Sequence, residues 1–505
     1  MKKVGKYILI LALLLAGLFF IALLFLFFIP DSSLFGITYI GKGSQHYSQA
    51  YAASGVNTIV INNSAFNVEI VTVKDSDKIS LLVENRMFGF TLKKHSAVTI
   101  SPKLFKQTLT FNIEEPYGVA FKNGSYIELR IPANMVKDPT SAYGFNLTLN
   151  NSSSKSNINC EQSAINNLKF TTKSGSLNIN KGAVTGNISL DLSRGSCNIA
   201  NTSTLNSNNV TLKQTSGSFS TEDKVVLGNI NHTQNTTGDV DINVCNNYIA
   251  PLNTAGGNIS IQKVNNELEL TSTDTNLYVK EQNSGGIKIN LTESGAVTID
   301  KINAAERIAD ITTKNGSINI KNSRKNLKLI TTNSGSITAT NIYAEVSATS
   351  NRGNINISYA KDAANFDYTN PNSSSRKATI NTQSGTVNVS GVQNINLTIT
   401  KNGNATVNMN EVYGNNKISA QNGSVKVVTP SNRNVETTHK YNLTTQSDES
   451  GTVYVAISGV EEYTTKASKT IRVGVDKDST EEIPHNLDVK VTSGSLRVVN
   501  SEYDY

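Results

Sequence analysis

The sequence predicts an all-β protein: a parallel β-solenoid (β-helix) of about 14 coils with β caps, preceded by one N-terminal transmembrane helix. Three observations carry that expectation. Asn, Ser, Thr, Gly and β-branched residues dominate, only 17% of residues are charged and Trp is absent, a mix that favours strands and turns over helices. A short glycine phrase returns about every 20 residues, the mark of a repeat architecture. Behind each glycine, apolar and polar positions alternate with period two, which describes a strand with one buried and one wet face.

Size and charge narrow the class. A chain of 505 residues exceeds what one ordinary core fills. Its 38% apolar content is too high and too regularly spaced for a disordered chain. The net charge of +7 (46 basic, 39 acidic) includes no basic block beyond the first few residues. No nucleic-acid-binding surface is indicated.

The N-terminus sets the compartment. Lys2, Lys3 and Lys6 precede a charge-free apolar run from Tyr7 to Pro30, and about 20 such residues span a bilayer core. A cleaved signal peptide needs a shorter run and an A-x-A-like site; here the exit reads FFIPDSS, and no Cys follows Leu14–Gly17 for lipidation. Residues 1–6 therefore read as a cytoplasmic tip and 7–30 as a helix contacting membrane lipid. The positive-inside bias puts the rest outside. Residues 31–54, with GKGSQHYSQAYAASG at 41–55, read as a flexible linker. Residues 55–145 contain longer strands such as NTIVINNSAFNVEIVTV and SYIELRIPA, read as a β cap over the first coil's open edge.

Residues 146–430 are the repeats. Phrases such as TTKSGSLNI, TKNGSINI, SNRGNINI and TQSGTVNV are anchored at Gly175, Gly195, Gly217, Gly238, Gly257, Gly295, Gly316, Gly335, Gly353, Gly385, Gly403 and Gly423, and a last copy at Gly494. Between Gly257 and Gly295 the gap is 38, two periods, and DTNLYV (274–279) supplies the missing copy with Thr275 in the glycine's place. The gap of 32 before Gly385 holds NFDYTNPNSSSRK (365–377), which has the composition of an inserted loop. Of the 26 positions two and four residues after the glycines, 25 are apolar, Thr221 being the exception, and every position between them is polar. The glycine itself reads as a turn residue with positive φ.

One such unit cannot bury its apolar side alone. Stacking units at about 4.8 Å pairs each strand with its counterpart and closes a continuous core, roughly 65 Å long for 14 coils. Propeller blades need about 40–50 residues each, and a sandwich does not repeat one glycine register. Residues 431–505 read as a C-terminal cap with an excursion (431–485) and a final rung.

These residues resemble the bacterial putative-adhesin β-strand-repeat family. The match lies in YIELRIPANM (126–135), FNLTLNNSSSKSNIN (145–159) and the glycine rungs, over residues 55–430 and 486–499. The resemblance implies an envelope-associated solenoid and transfers no catalytic residue.

Nothing in the sequence expects a catalytic, cofactor or metal site. Cys160, Cys197 and Cys245 lack metal-ligand spacing and read as small apolar core residues. The five histidines, His46, His95, His232, His439 and His485, are scattered and read as solvated. Calcium-binding β-rolls need acidic glycine repeats, and only Asp239 and Asp241 approach that pattern. Asp191, Asp241, Glu269, Asp300 and Asp310 sit in different coils, whereas glycoside hydrolysis needs two carboxylates across one sugar. The outward Asn, Ser and Thr ladders form a neutral hydrogen-bonding surface suited to a glycan, a cell-wall polymer or a surface protein; ladders of this kind also stabilise a stack by themselves. The expected role is a membrane-anchored extracytoplasmic adhesin-like or scaffold protein without catalysis. A carbohydrate-active β-helix enzyme and a structural assembly module of the envelope are the alternatives.

Overall fold

The computed structural model describes residues 2–28, 33–34, 37–63, 66–91, 99–105, 107–114, 118–122, 126–133, 145–184, 186–200, 203–205, 209–303, 307–360, 376–431, 440–448, 452–457, 463–465, 468–475 and 479–501. They fall into two compact units, Met1–Leu227 and Gly228–Tyr505. Both are parallel β-solenoids whose coils run from a leading strand through a turn, in most coils at a glycine, into a trailing strand.

The first unit opens with an α-helix, Lys2–Phe28, whose side chains from Gly5 to Ala22 are unburied. A run this apolar and this long can cross a membrane. In the coils behind it, leading strands pair parallel from Thr108–Glu114 to Thr58–Asn63 to Phe145–Asn151. Lys155–Thr172, Ile188–Leu192 and Val210–Gln214 follow. Trailing strands run alongside from Tyr126–Pro132 through Asn67–Val73, Lys155–Thr172, Ser176–Val184 and Ser196–Ile199 to Ser218–Thr221. Lys155–Thr172 serves both walls because it bends with the coil.

Two sequence expectations change here. Residues within 55–145 are rungs of the parallel ladder, threaded out of order, since Thr58–Val73 stacks between the coil of 108–132 and that of 145–159. The supposed linker contains a 16-residue strand, Ile37–Ala52, antiparallel to Lys78–Thr91. Its Ser, Gln and Gly content hides a period-two pattern in which Tyr47, Gln49 and Tyr51 are partly buried. The Tyr51 ring meets Phe111 edge-on at 5.6 Å. Antiparallel strands also border the outermost coil, Thr99–Phe105 on Thr108–Glu114 and Lys78–Thr91 on Tyr126–Pro132.

In the second unit the leading wall passes from Leu268–Ser272 through Ile287–Leu291, Ala309–Thr313, Leu327–Thr331, Val346–Ser350 and Lys377–Ser384 to Asn394–Asn402. The trailing wall repeats the pattern from Asn258–Val264 to Ala405–Met409. The far end is threaded out of order too. Asn415–Thr429 pairs in parallel with Asn486–Asn500, which pairs on its other side with Tyr441–Ser447 and Thr452–Ala456. The Gly494 phrase is therefore an inner coil, and the excursion supplies the one outside it. Lys469–Val473 and Tyr463–Thr465 pair antiparallel to that outer coil.

The core is the inward half of the alternation. All 25 apolar positions behind the glycines are at most 2% exposed, and Thr221 also points inward at 9%. Burying each Val, Leu or Ile contributes about 1.5–3 kcal/mol relative to leaving it in water.

Candidate functional site

Within each unit the turn glycines form a column. Apart from Gly238, each of the 13 would place a Cβ against backbone of the preceding coil: Gly195 2.4 Å from the Gly175 carbonyl oxygen, Gly353 1.7 Å from that of Gly335, Gly494 2.0 Å from that of Gly423. Positive φ is found at Gly257, Gly295, Gly385, Gly423 and Gly494 but not at Gly175, Gly195, Gly217, Gly316, Gly335, Gly353 or Gly403. The expectation of a general positive φ is thus corrected. What these positions share is close approach of one backbone to the next.

Beneath the glycines lies a file of buried polar side chains that the sequence reading overlooked: Thr172, Gln214, Asn235, Ser272, Thr313, Ser350 and Thr382. Most clasp the turn above them. The Gly175 N–H donates to Thr172 Oγ1 at 2.7 Å and the Gly238 N–H to Asn235 Oδ1 at 2.6 Å; Thr313 Oγ1 donates to the Gly316 carbonyl at 2.6 Å. Thr275 replaces a glycine and hydrogen-bonds Ser272 at 2.5 Å. The signal was available, because each of these residues sits three positions before its glycine or Thr275, at inward parity.

Outside, polar residues in successive coils bond one another. Asn178 Nδ2 donates to Asn157 Oδ1 at 3.0 Å, and Asn388 Nδ2 to Asn356 Oδ1 at 2.8 Å. Acidic residues are held singly by the next coil's lysine: Asp191 by Lys213 at 3.3 Å, Glu269 by Lys288 at 3.6 Å, Asp300 by Lys321 and Asp310 by Lys328, both at 2.7 Å. Hydrogen bonds from Lys301 and Asn303 hold the Glu281 carboxyl below its usual range. At Glu69 and Glu128 two outward carboxylates are register partners. Even so, Glu69 accepts from the amides of Asn157 and Asn159, and Glu128 from Arg130 Nε at 2.5 Å. Asp239 Oδ1 accepts from the Asn258 backbone and side chain. No group of three or more His, Cys, Asp or Glu able to hold a metal occurs among the described residues.

The histidines depart from expectation. His232 is fully buried, with Nδ1 2.7 Å from the Tyr248 hydroxyl, and burial pulls its pKa down to about 4. Inward parity in its strand overrode its polarity. His485 is half-buried, accepting from the Gly414 N–H at 3.1 Å beside Tyr413. The side chains of His46, His95 and His439 lie outside the described residues. Cys160, Cys197 and Cys245 are buried free thiols in the core; burial pushes Cys160 and Cys245 up to about 12 and Cys197 higher still.

Two open grooves follow the rim between leading wall and glycine turn. In the first unit a groove of about 540 Å³ is lined by Asn62, Asn112, Asn150, Thr171, Lys173 and Asp191 among others. In the second, about 460 Å³ lies against Thr332, Thr349, Asn351, Asn381 and Gln383. In the first groove Asn62 Nδ2 donates to Asn112 Oδ1 at 2.6 Å and Asn150 Nδ2 to Asn62 Oδ1 at 2.7 Å, so three amides stand in one ladder.

Comparison with known proteins sets this architecture in a family. No curated protein matches the chain. Among solved structures, a putative adhesin from Bacteroides fragilis aligns at 11% identity over 68% of this chain and 98% of its own, with a TM-score of 0.17. A putative cell adhesion protein from Clostridium sporogenes aligns at 9% identity over 91% and 100%, with a TM-score of 0.15. At those scores neither alignment informs fold or function. The Toastrack DUF4097 family model matches residues 56–299 and 251–370. With more than half its length so matched, the chain belongs to the Toastrack DUF4097 family.

Proposed function

We propose that this chain is an extracytoplasmic β-solenoid held to the cell membrane by its N-terminal helix, with the N-terminus cytoplasmic. It acts by surface binding, as an adhesin-like or envelope scaffold protein without catalysis. The observation that carries this reading is the outward face. Several of its acids, among them Asp191, Asp300 and Asp310, are each tied to a lysine of the next coil, and neutral amide and hydroxyl ladders run in register beside them. Such a surface offers many weak, directional hydrogen bonds, and the two grooves described are open, unlike the enclosed apolar pocket a small substrate occupies. A glycan, cell-wall polymer or surface protein suits it.

Lys2, Lys3 and Lys6, in the first turns of the helix and ahead of its apolar run, support the orientation. Purification of the full chain from membranes, with identification of what accompanies it, tests the proposal. Retention of an envelope polymer or surface protein is the expected result. Release of shortened products from a purified polysaccharide by the chain would contradict it in favour of an enzyme.

A further inference from the structure

The asparagine ladder of the first groove has donors and acceptors to spare. An Asn amide carries two N–H donors and an oxygen with two lone pairs. Asn62 spends one N–H on Asn112 and one lone pair on Asn150. A second N–H and a second lone pair remain, and the groove is where Asn112, Asn62 and Asn150 meet solvent. Amides of adjacent coils repeat at about 4.8 Å, close to the length of one pyranose ring. A sugar hydroxyl is both donor and acceptor, so a pair of neighbouring hydroxyls answers one such amide edge. Peptide strands lie badly here, since their side chains repeat at about 6.6–6.8 Å on one face.

Charge narrows the ligand further. The charged lining residues of the groove are Lys173 and Asp191, and Lys213 pairs with Asp191 at 3.3 Å, so the three sum to a single positive charge. One exposed positive charge attracts a polyanion only weakly once salt screens it, so the amide ladder carries the selection. Thr171, in the next coil at the register of Asn150, extends the row with a hydroxyl. The groove of the second unit offers Thr332, Thr349, Asn351 and Asn381 instead, without three amides in one ladder.

We propose that the Asn112–Asn62–Asn150 ladder is a binding site for an uncharged, linear carbohydrate chain lying across the coils. It rests on the surface-binding reading above and gives that reading a location and a ligand class. The test uses the full chain in detergent and calorimetric titration with hexasaccharides of β-1,4-linked glucose and N-acetylglucosamine. An acidic hexagalacturonate and an extended decapeptide serve as comparators. Binding of a neutral hexasaccharide is expected, weakened about tenfold or more by N62L and by N150L, the scale of one lost hydrogen bond. Asn62→Asp, which keeps the size, is expected to weaken it likewise, with thermal melts checking that each variant is folded.

N388L probes the trailing-wall ladder of the second unit, which lies outside this groove. Binding insensitive to Asn62 and Asn150 but lost in N388L would overturn this site and leave surface binding standing. Preference for the acidic chain or the peptide would overturn the ligand class. No retained partner in the membrane purification, together with no binding to any of these, would overturn the site and the broader reading.

Discussion

The Cβ that Gly353 lacks would fall 1.7 Å from the carbonyl oxygen of Gly335. The same holds for Gly316 above Gly295, at 1.5 Å. The stack tolerates no side chain there without moving one backbone off the other. Gly353→Ala and Gly316→Ala are expected to cost at least about 3 kcal/mol each in chemical denaturation. Gly256→Ala, whose added carbon meets only the Thr236 carbonyl at 3.1 Å, is expected to stay within about 1 kcal/mol. Equal costs at all three sites would remove the column from the account.

His232 gives the fold a pH dependence. Unfolded, the ring takes its proton near the ordinary pKa of 6.5; folded, burial holds that off until about pH 4. Its contribution is complete above pH 6.5 and is lost progressively as pH falls from 6.5 to about 4. At pH 4.5 the native chain should have lost about 2–3 kcal/mol on this account. Carboxylates titrate in the same range, so the difference between native chain and His232→Phe isolates the histidine: the variant's stability should fall less between pH 7.5 and 4.5. Parallel curves would contradict the buried neutral ring.

The strand Asn486–Asn500 holds the outer C-terminal coil in place. It pairs with Asn415–Thr429 on one side and with Tyr441–Ser447 and Thr452–Ala456 on the other, while Leu487, Val489, Val491, Leu496 and Val498 are buried. Val489→Asp buries a charge between two coils. The expected outcome in limited proteolysis is cleavage within 440–473, with the coils from 258 to 409 still protected. Continued protection of 441–456 would show that something else secures it.

Inter-coil ion pairs contribute little to stability. Lys328 and Asp310 approach to 2.7 Å, but their side chains are 49% and 40% exposed. Such pairs contribute about 0–1 kcal/mol in water. Lys328→Ala should shift the denaturation free energy by less than about 1 kcal/mol, and salt should change it little. A loss above about 2 kcal/mol would mean that charge, and not apolar stacking, secures the coils.

How much of this was legible follows from which residues alternate. Leu177 and Ile179, or Ile318 and Ile320, announce an inward face because parity and polarity agree, and the repeat then fixes the stack. Thr172 and Asn235 are inward by parity but polar, so polarity alone does not mark them as core; the turn amides they accept from explain their burial. Tyr47 and Tyr51 were hidden among Ser, Gln and Gly, which resemble a linker unless counted in twos. The out-of-order coils at 58–132 and 441–500 depend on which strands meet, and a glycine phrase is the same at any level of a stack. The groove was equally hidden, since Asn112, Asn62 and Asn150 are neighbours only after that rethreading.

Spin labels on the outward trailing-wall positions of the second unit measure the stack most directly. Asn319, Thr338, Asn356, Asn388, Thr406, Lys426, Arg497 and Tyr454 succeed one another in register. At about 4.8 Å per coil, pulsed electron-electron distances from Asn319 should be about 19 Å to Thr406, about 29 Å to Arg497 and about 34 Å to Tyr454. Tyr454 should thus lie beyond Arg497 although it comes first in the chain. Distances that fail to grow with coil number, or that put Arg497 farther away than Tyr454, would contradict the stacked and rethreaded wall on which the binding surface depends.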